Sequence, residues 1–259
     1  MIGIFDSGVG GLSIFREIRK VLPEQSYIYY SDSAHCPYGE KSQEYIIDRA
    51  REITSFLLSK GAEIIVVACN TATAAAISTL RQEFPVKFIG MEPAIKPAAS
   101  KTQTGVVGVL ATAGTLKADK YHITRERWGD NVQIVEQVGK GFVELVEKGM
   151  TEGREAEDTV GMCLEPLLDA GADTIVLGCT HYPFLSQTIS EVASRLVPGR
   201  EITIIDPAPA VARHLVEVMS EEGIEMTSPQ GYTLEMYTSG DEDMMKDVVG
   251  KILRQHSLR

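Results

Sequence analysis

The chain has 259 residues, of which 44% are hydrophobic and 24% charged, an ordinary globular composition with room for about one to two domains. Its formal net charge of −11 argues against nucleic acid or an anionic membrane as a partner, since both require basic surface. That charge leaves room for a small anionic substrate, which backbone amides can hold. The four cysteines (Cys36, Cys69, Cys163 and Cys179) make no CxxC pair and no zinc-spaced cluster with histidine, so neither a metal nor a disulfide framework is expected. The start, Met1 to Asp6, carries no basic leader and no apolar signal core, and no apolar run approaches the ~20 residues of a membrane span. A soluble cytoplasmic protein is expected.

In chain order, Ile2 to Phe5 reads as a buried strand followed by the glycine-rich turn Asp6-Ser7-Gly8-Val9-Gly10-Gly11. Leu12 to Leu22 is helical, with Leu12, Phe15, Ile18 and Leu22 on one face and Pro23 as the stop. A strand, Tyr27 to Ser31, leads into a polar loop, Asp32 to Lys41, that contains Pro37-Tyr38-Gly39. Ser42 caps a long helix to Lys60, and Gly61 ends it. The β-branched run Ile64 to Val67 then ends in Ala68-Cys69-Asn70-Thr71 and an alanine-rich stretch: a strand, a thiol, and a helix N-terminus with Asn70 and Thr71 as cap formers. Val86 to Ile89 is a further strand, and Ala98 to Thr104 reads as a linker.

The alternation restarts with a strand at Val106 to Leu110, a helix at Leu116 to Trp128 and a strand at Val132 to Glu136. Helices follow at Gly141 to Lys148 and Glu155 to Asp169. Thr174 to Gly178 forms the second strand that ends in a thiol, Cys179-Thr180-His181, with a helix from Pro183 to Leu196. A strand at Ile202 to Ile205, a helix at Ala210 to Glu222, a strand at Tyr232 to Thr238 and a helix at Asp241 to Gln255 complete the chain.

The pattern implies an α/β fold, and it repeats. Ser7 and Thr112, Cys69 and Cys179, and Glu92 and Asp206 stand in like contexts, 105, 110 and 114 residues apart. Two similar half-domains follow, each a mostly parallel sheet flanked by helices, facing each other across a cleft. Residues 1–97 with 209–259 form the first and 98–208 the second, with an active site at their interface. The final segment has no counterpart in the second half and is expected to complete the first domain.

A thiol at a strand end beside a helix N-terminus meets free N–H groups and the positive helix dipole, which favour the reactive thiolate. The repeat also sets its two thiols apart. Asp6 corresponds to Ala111, so the first half alone carries that acid. His181 follows Cys179 where Thr71 follows Cys69. Each cysteine therefore has its own candidate helper, Asp6 for Cys69 and His181 for Cys179.

Asp-Ser-Gly-x-Gly-Gly at residues 6–11, Pro-Tyr-Gly-Glu-Lys-Ser at 37–42, Ala-Cys-Asn-Thr-Ala at 68–72 and Gly-Cys-Thr-His-Tyr-Pro at 178–183 together resemble the glutamate racemases. The resemblance runs nearly end to end. It implies an isomerase that interconverts L- and D-glutamate for peptidoglycan synthesis without a cofactor. It also implies Cys69 and Cys179 as catalytic thiols, the first taking the Cα proton of D-glutamate and the second that of L-glutamate. Asp6 and His181 match the assisting groups, and Glu147 an acid near the histidine. Asp6, Ser7, Pro37, Tyr38, Gly39, Asn70, Thr71, Thr180 and His181 match the substrate-binding positions. Many members dimerise, so a homodimer is expected. One departure is visible: Val138-Gly139-Lys140-Gly141 stands where relatives often show cysteine-proline, close to Glu147.

Plainer roles suit the remaining candidates. Cys36 and Cys163 read as ordinary packing or surface thiols, and His35, His122, His214 and His256 as structural. Asp6 could cap the glycine turn, and Glu147 could be a solvated helix end. The turn at Gly8 to Gly11 lacks G-x-G-x-x-G spacing, so NAD is rejected. Other functional readings are a racemase for aspartate or another small acid, a redox sensor pairing Cys69 with Cys179, and a glutamate-binding protein without turnover.

Overall fold

The computed structural model describes residues 1–129 and 131–255; His256 lies outside them. The chain divides into two compact units, Met1–Glu92 with Ala208–Arg259, and Pro93–Pro207. It leaves the first unit at the acid–proline step Glu92-Pro93 and re-enters it directly after a second such pair, Asp206-Pro207.

The first unit contains β1 (Ile2–Asp6), α1 (Leu12–Val21), β2 (Ser26–Ser31), α2 (Gln43–Ser59), β3 (Ile64–Val67), α3 (Asn70–Glu83) and β4 (Lys87–Gly90). In the second lie α4 (Ile95–Lys101), β5 (Val106–Ala111), α5 (Ala113–Lys117), α6 (Asp119–Trp128), β6 (Gln133–Val138), α7 (Phe142–Glu147), α8 (Arg154–Asp169), β7 (Thr174–Gly178), α9 (Ser186–Leu196) and β8 (Thr203–Ile205). The first unit is then completed by α10 (Ala208–Glu221), β9 (Thr233–Thr238) and α11 (Glu242–Gln255).

Both sheets are parallel, with orders β4-β3-β1-β2-β9 and β6-β5-β7-β8. Read from the opposite edge, the second order is β8-β7-β5-β6, so β5 to β8 repeat β1 to β4 and β9 is the addition. The inner strands are buried on both faces, as a parallel sheet covered by helices requires: β1, β3 and β7 are buried along their whole length, whereas the edge strands β6 and β9 are partly exposed.

Right-handed crossovers place the helices. From β1 the chain moves to one side through α1. From β2 it crosses back over β1 through α2, and α3 continues in that direction. Accordingly α2 packs on α3, whereas α1 packs on α10. In the second unit α8 packs on α9, and α4 on α6. The chain direction reverses between β1 and β3, and between β5 and β7. Ligands of doubly wound sheets bind at the carboxyl ends of such strand pairs.

Several local expectations change. The linker read at Ala98 to Thr104 begins inside α4, so the expected boundary at 97/98 falls within a helix. Its small polar residues hide Ile95 and Ala98, three apart, which bury against Val107, Val109 and Val176. Thr102, Gln103 and Thr104 beyond it are tied to Asp173. The helix read at Leu116 to Trp128 is two helices, broken where Ala118 is extended (φ −79°, ψ 139°). The polar loop after β2 contains two 3₁₀ turns, Ser33–His35 and Tyr38–Glu40. Ser42 caps α2 through Tyr45 N–H at 3.2 Å, an interaction worth about 1 kcal/mol.

Candidate active site

In the first unit, the reversal point is lined by the turn after β1 and the start of α3. Asp6 is fully buried. Its Oδ2 accepts the Gly11 amide at 2.7 Å, so the turn-capping role is real. Gly11 is required there, because a Cβ would come within 2.8 Å of both the Asp6 Cβ and the Tyr29 hydroxyl. Ser7 Oγ donates toward Asp6 Oδ1 at 3.4 Å, and the Cys69 thiol lies 3.7 Å from Ser7 Oγ. Thiol, hydroxyl and carboxylate thus form a chain. Ser7, read from the sequence as a substrate-binding position, also stands between Cys69 and Asp6.

Cys69 itself is the N-cap of α3: its sulfur accepts the Ala72 amide at 3.5 Å. Asn70 and Thr71, expected as caps, instead occupy the first helical turn. The correction strengthens the electrostatic case, since Cys69 Sγ meets the positive helix end directly. Asn70 is buried, and its Oδ1 has no hydrogen-bond partner, which leaves a desolvated acceptor for a ligand's N–H.

Tyr38 is also buried here, in one apolar cluster with Cys69. Its hydroxyl donates to Asp32 Oδ2 at 2.6 Å. Burial, then the Asp32 charge and the neighbouring Cys69, raise the phenol well above its ordinary pKa, so it stays a neutral donor. With its side chain so committed, the turn Pro37-Tyr38-Gly39 has only backbone groups to offer a substrate.

In the second unit, the reversal point lies between β5 and β7. Cys179 follows β7, and His181 Nδ1 lies 3.7 Å from its sulfur. On the other side of the ring, His181 Nε2 is 2.6 Å from Glu147 Oε1, at the last residue of α7. The ring is almost wholly buried, so the carboxylate fixes both its orientation and its tautomer. A 3₁₀ turn, Tyr182–Leu185, precedes α9, so a single short turn stands where the sequence suggested a full helix end at Cys179. Thr180, ahead of that turn, is buried.

The departure at 138–141 has a packing reason. A Cβ at Gly139 would meet the Tyr182 ring at 2.5 to 2.9 Å. The Tyr182 hydroxyl donates to Gly139 O at 3.3 Å, and its ring meets Phe142 edge-on at 4.9 Å. Phe142 opens α7 and Tyr182 follows His181, so this contact helps bring Glu147 to the histidine. Cys163 lies on α8 with its thiol 3.6 Å from Val138 O, and burial raises its pKa, which keeps it an unreactive thiol.

Among the described residues no helix is long and apolar enough to cross a membrane. Comparison with known proteins is consistent along the whole chain. A family model described as Asp/Glu/Hydantoin racemase matches residues 11–215. A glutamate racemase from Stutzerimonas stutzeri is 47% identical over 249 residues, which cover 96% of this chain and 92% of that protein. Among solved structures, a glutamate racemase from Bacillus anthracis superposes with a TM-score of 0.87 at 30% identity, covering 98% of this chain and 94% of the other. One from Escherichia coli, in complex with L-glutamate and the activator UDP-MurNAc-Ala, gives 0.83 at 32%, covering 97% and 94%. The chain therefore belongs to the Asp/Glu/hydantoin racemase family and is an amino-acid racemase, similar over nearly its whole length to glutamate racemases.

Proposed function

We propose that this chain interconverts L- and D-glutamate by two-thiol proton transfer without a cofactor, in the cytoplasm, supplying D-glutamate for peptidoglycan. The observation that carries the reading is the pair of equivalent strand ends, each with a thiol and its own acid–base partner: Cys69 with Ser7 and Asp6, Cys179 with His181 and Glu147. Inverting Cα requires a base on one face and an acid on the other. A thiolate at one face takes the Cα proton while a thiol at the other gives one up, so the enzyme leaves each turnover with the two roles exchanged. A second turnover in the opposite direction restores them. Cys69 acts as base on D-glutamate and Cys179 on L-glutamate.

The Cα proton is a weak acid beside a carboxylate, so the protein must stabilise the developing charge with fixed donors in a dry site. The buried Ser7, Thr71, Thr180 and the α3 N-terminus suit that work, and the free Asn70 Oδ1 suits the substrate ammonium. The L-glutamate held by the Escherichia coli relative supports a five-carbon acidic substrate.

The test is circular dichroism of L- or D-glutamate incubated with pure protein and no added cofactor, with aspartate as control. The optical signal of either glutamate enantiomer should decay to zero, with solvent deuterium appearing at Cα. A constant signal overturns the assignment, and decay with aspartate alone transfers it to that substrate.

A further inference from the structure

No strand or α-helix carries the turn Pro37-Tyr38-Gly39, which lies between two short 3₁₀ turns. An ion pair between a buried carboxylate and a half-buried guanidinium holds it. Asp32, fully buried just past β2, accepts two hydrogen bonds from Arg49 of α2: Nη2 to Oδ1 at 2.8 Å and Nε to Oδ2 at 3.0 Å. The same carboxylate accepts the Tyr38 hydroxyl at 2.6 Å and lies 2.9 Å from His35 Nδ1. Its amide donates to Asp6 O at 2.9 Å. One carboxylate thus joins α2, the turn, and the end of β1 beside the candidate catalytic acid.

Burying a carboxylate is costly unless it is paired and fully hydrogen-bonded, and an apolar pair of the same volume often stabilises a fold as well. What the pair adds is direction. The guanidinium fork admits one orientation of the carboxylate, and that orientation sets where the Tyr38 hydroxyl must sit. Burial opposes ionisation of Asp32, but the bonds from Arg49, Tyr38, His35 and Ser239 outweigh it and keep the carboxyl below its ordinary pKa.

We propose that Arg49 is a positioning residue: through Asp32 it fixes Tyr38, and thereby holds the backbone of Pro37 to Gly39 in the geometry that receives the substrate. The substrate half of this statement rests on the reading of that turn as a binding segment. The hold on the turn is independent of it.

The experiment compares the full-length chain with Arg49→Met, Arg49→Lys and, as a control in the other unit, Asp173→Asn. Two quantities are read: amide hydrogen exchange of residues 33–41 without substrate, and KM and kcat for glutamate racemisation. Losing the charge-assisted bonds should speed exchange of the turn about tenfold in Arg49→Met, and raise KM about tenfold with kcat within about threefold. Arg49→Lys, which restores charge without the fork, should recover part of both. Asp173→Asn, weakened elsewhere, should move neither. Unchanged exchange in Arg49→Met overturns the proposal, and so does an equal KM shift in Asp173→Asn. Faster exchange with an unmoved KM upholds the hold on the turn and removes Pro37 to Gly39 from the substrate site. Absence of racemisation in the unsubstituted chain would overturn the functional reading, while the exchange data would still decide the positioning role.

Discussion

The first and second units use one strand order to place two thiols, yet support them differently. Cys69 caps a 14-residue helix with its own sulfur and reaches a carboxylate through a serine hydroxyl. Cys179 precedes a short 3₁₀ turn and has a buried imidazole 3.7 Å away, backed by Glu147. Beside the longer helix the neighbouring groups are a hydroxyl and, behind it, a carboxyl; beside the short turn the neighbour is an imidazole. The difference teaches that a duplicated scaffold keeps the place of the thiol, while each copy surrounds it with what its own turn offers.

The largest expected effect tests what the units share. Cys69→Ala and Cys179→Ala should each lower racemisation by about 10²–10⁴-fold, because either loss removes one of the two proton-transfer partners. Both variants should keep the unsubstituted chain's circular dichroism in the far ultraviolet. Normal turnover in either variant would falsify the two-thiol mechanism.

A smaller effect tests how they differ. His181→Asn and Ser7→Ala each remove one bond to a charged or charging group, a loss of roughly 10- to 100-fold. The enantiomers have equal free energies, so kcat/KM must stay equal in the two directions for every variant. Asymmetry has to be read from isotope effects. His181→Asn should increase the primary deuterium effect with Cα-deuterated L-glutamate, and Ser7→Ala with the D-enantiomer. The reverse pattern would exchange the assignments of the two thiols.

The smallest effect concerns stability rather than turnover. Asp173 anchors the turn after α4, accepting Thr102 Oγ1 at 2.5 Å and the Gln103 and Thr104 amides at 2.7 and 2.8 Å. Burial pushes its carboxyl up, but these bonds and that from Thr174 hold it below its ordinary pKa. A folded value below the unfolded one, about 3.9, means stability that is present above about pH 4 and lost as pH falls through the folded value. Asp173→Asn should cost about 1–3 kcal/mol at neutral pH, and its urea midpoint should fall less steeply on acidification than that of the unsubstituted chain. An equally steep fall would mean that other carboxylates govern the acid limb.

Much of this was legible because it depends on local pattern. A β-branched run, a cysteine, then small residues and alanine is enough to place a thiol between a buried strand and a helix. That pattern occurs twice at a similar offset, and the matching strand orders bear out the repeat. The α4 segment was missed because its two buried residues, Ile95 and Ala98, are separated by a lysine and a proline and followed by small polar residues. Arg49 and Asp32 were missed for a different reason: they stand 17 residues apart, on a helix and in a loop, and neither lies in a motif that names its partner. Glu147 was legible only by resemblance, since a glutamate at a helix end is ordinarily solvated.

The amino-acid order alone determined the alternation of elements, the duplication, the two thiols, and Asp6 and His181 as the groups that set the two copies apart. These follow from backbone propensity and apolar periodicity over short spans. Only the tertiary structure decided that β9 returns across some 200 residues to pair with β2, that Tyr38 turns inward to Asp32, and that Glu147 meets His181. Those outcomes depend on which apolar faces find each other and on where a buried polar atom can be satisfied. Both are properties of packing in three dimensions, which no stretch of neighbouring residues encodes.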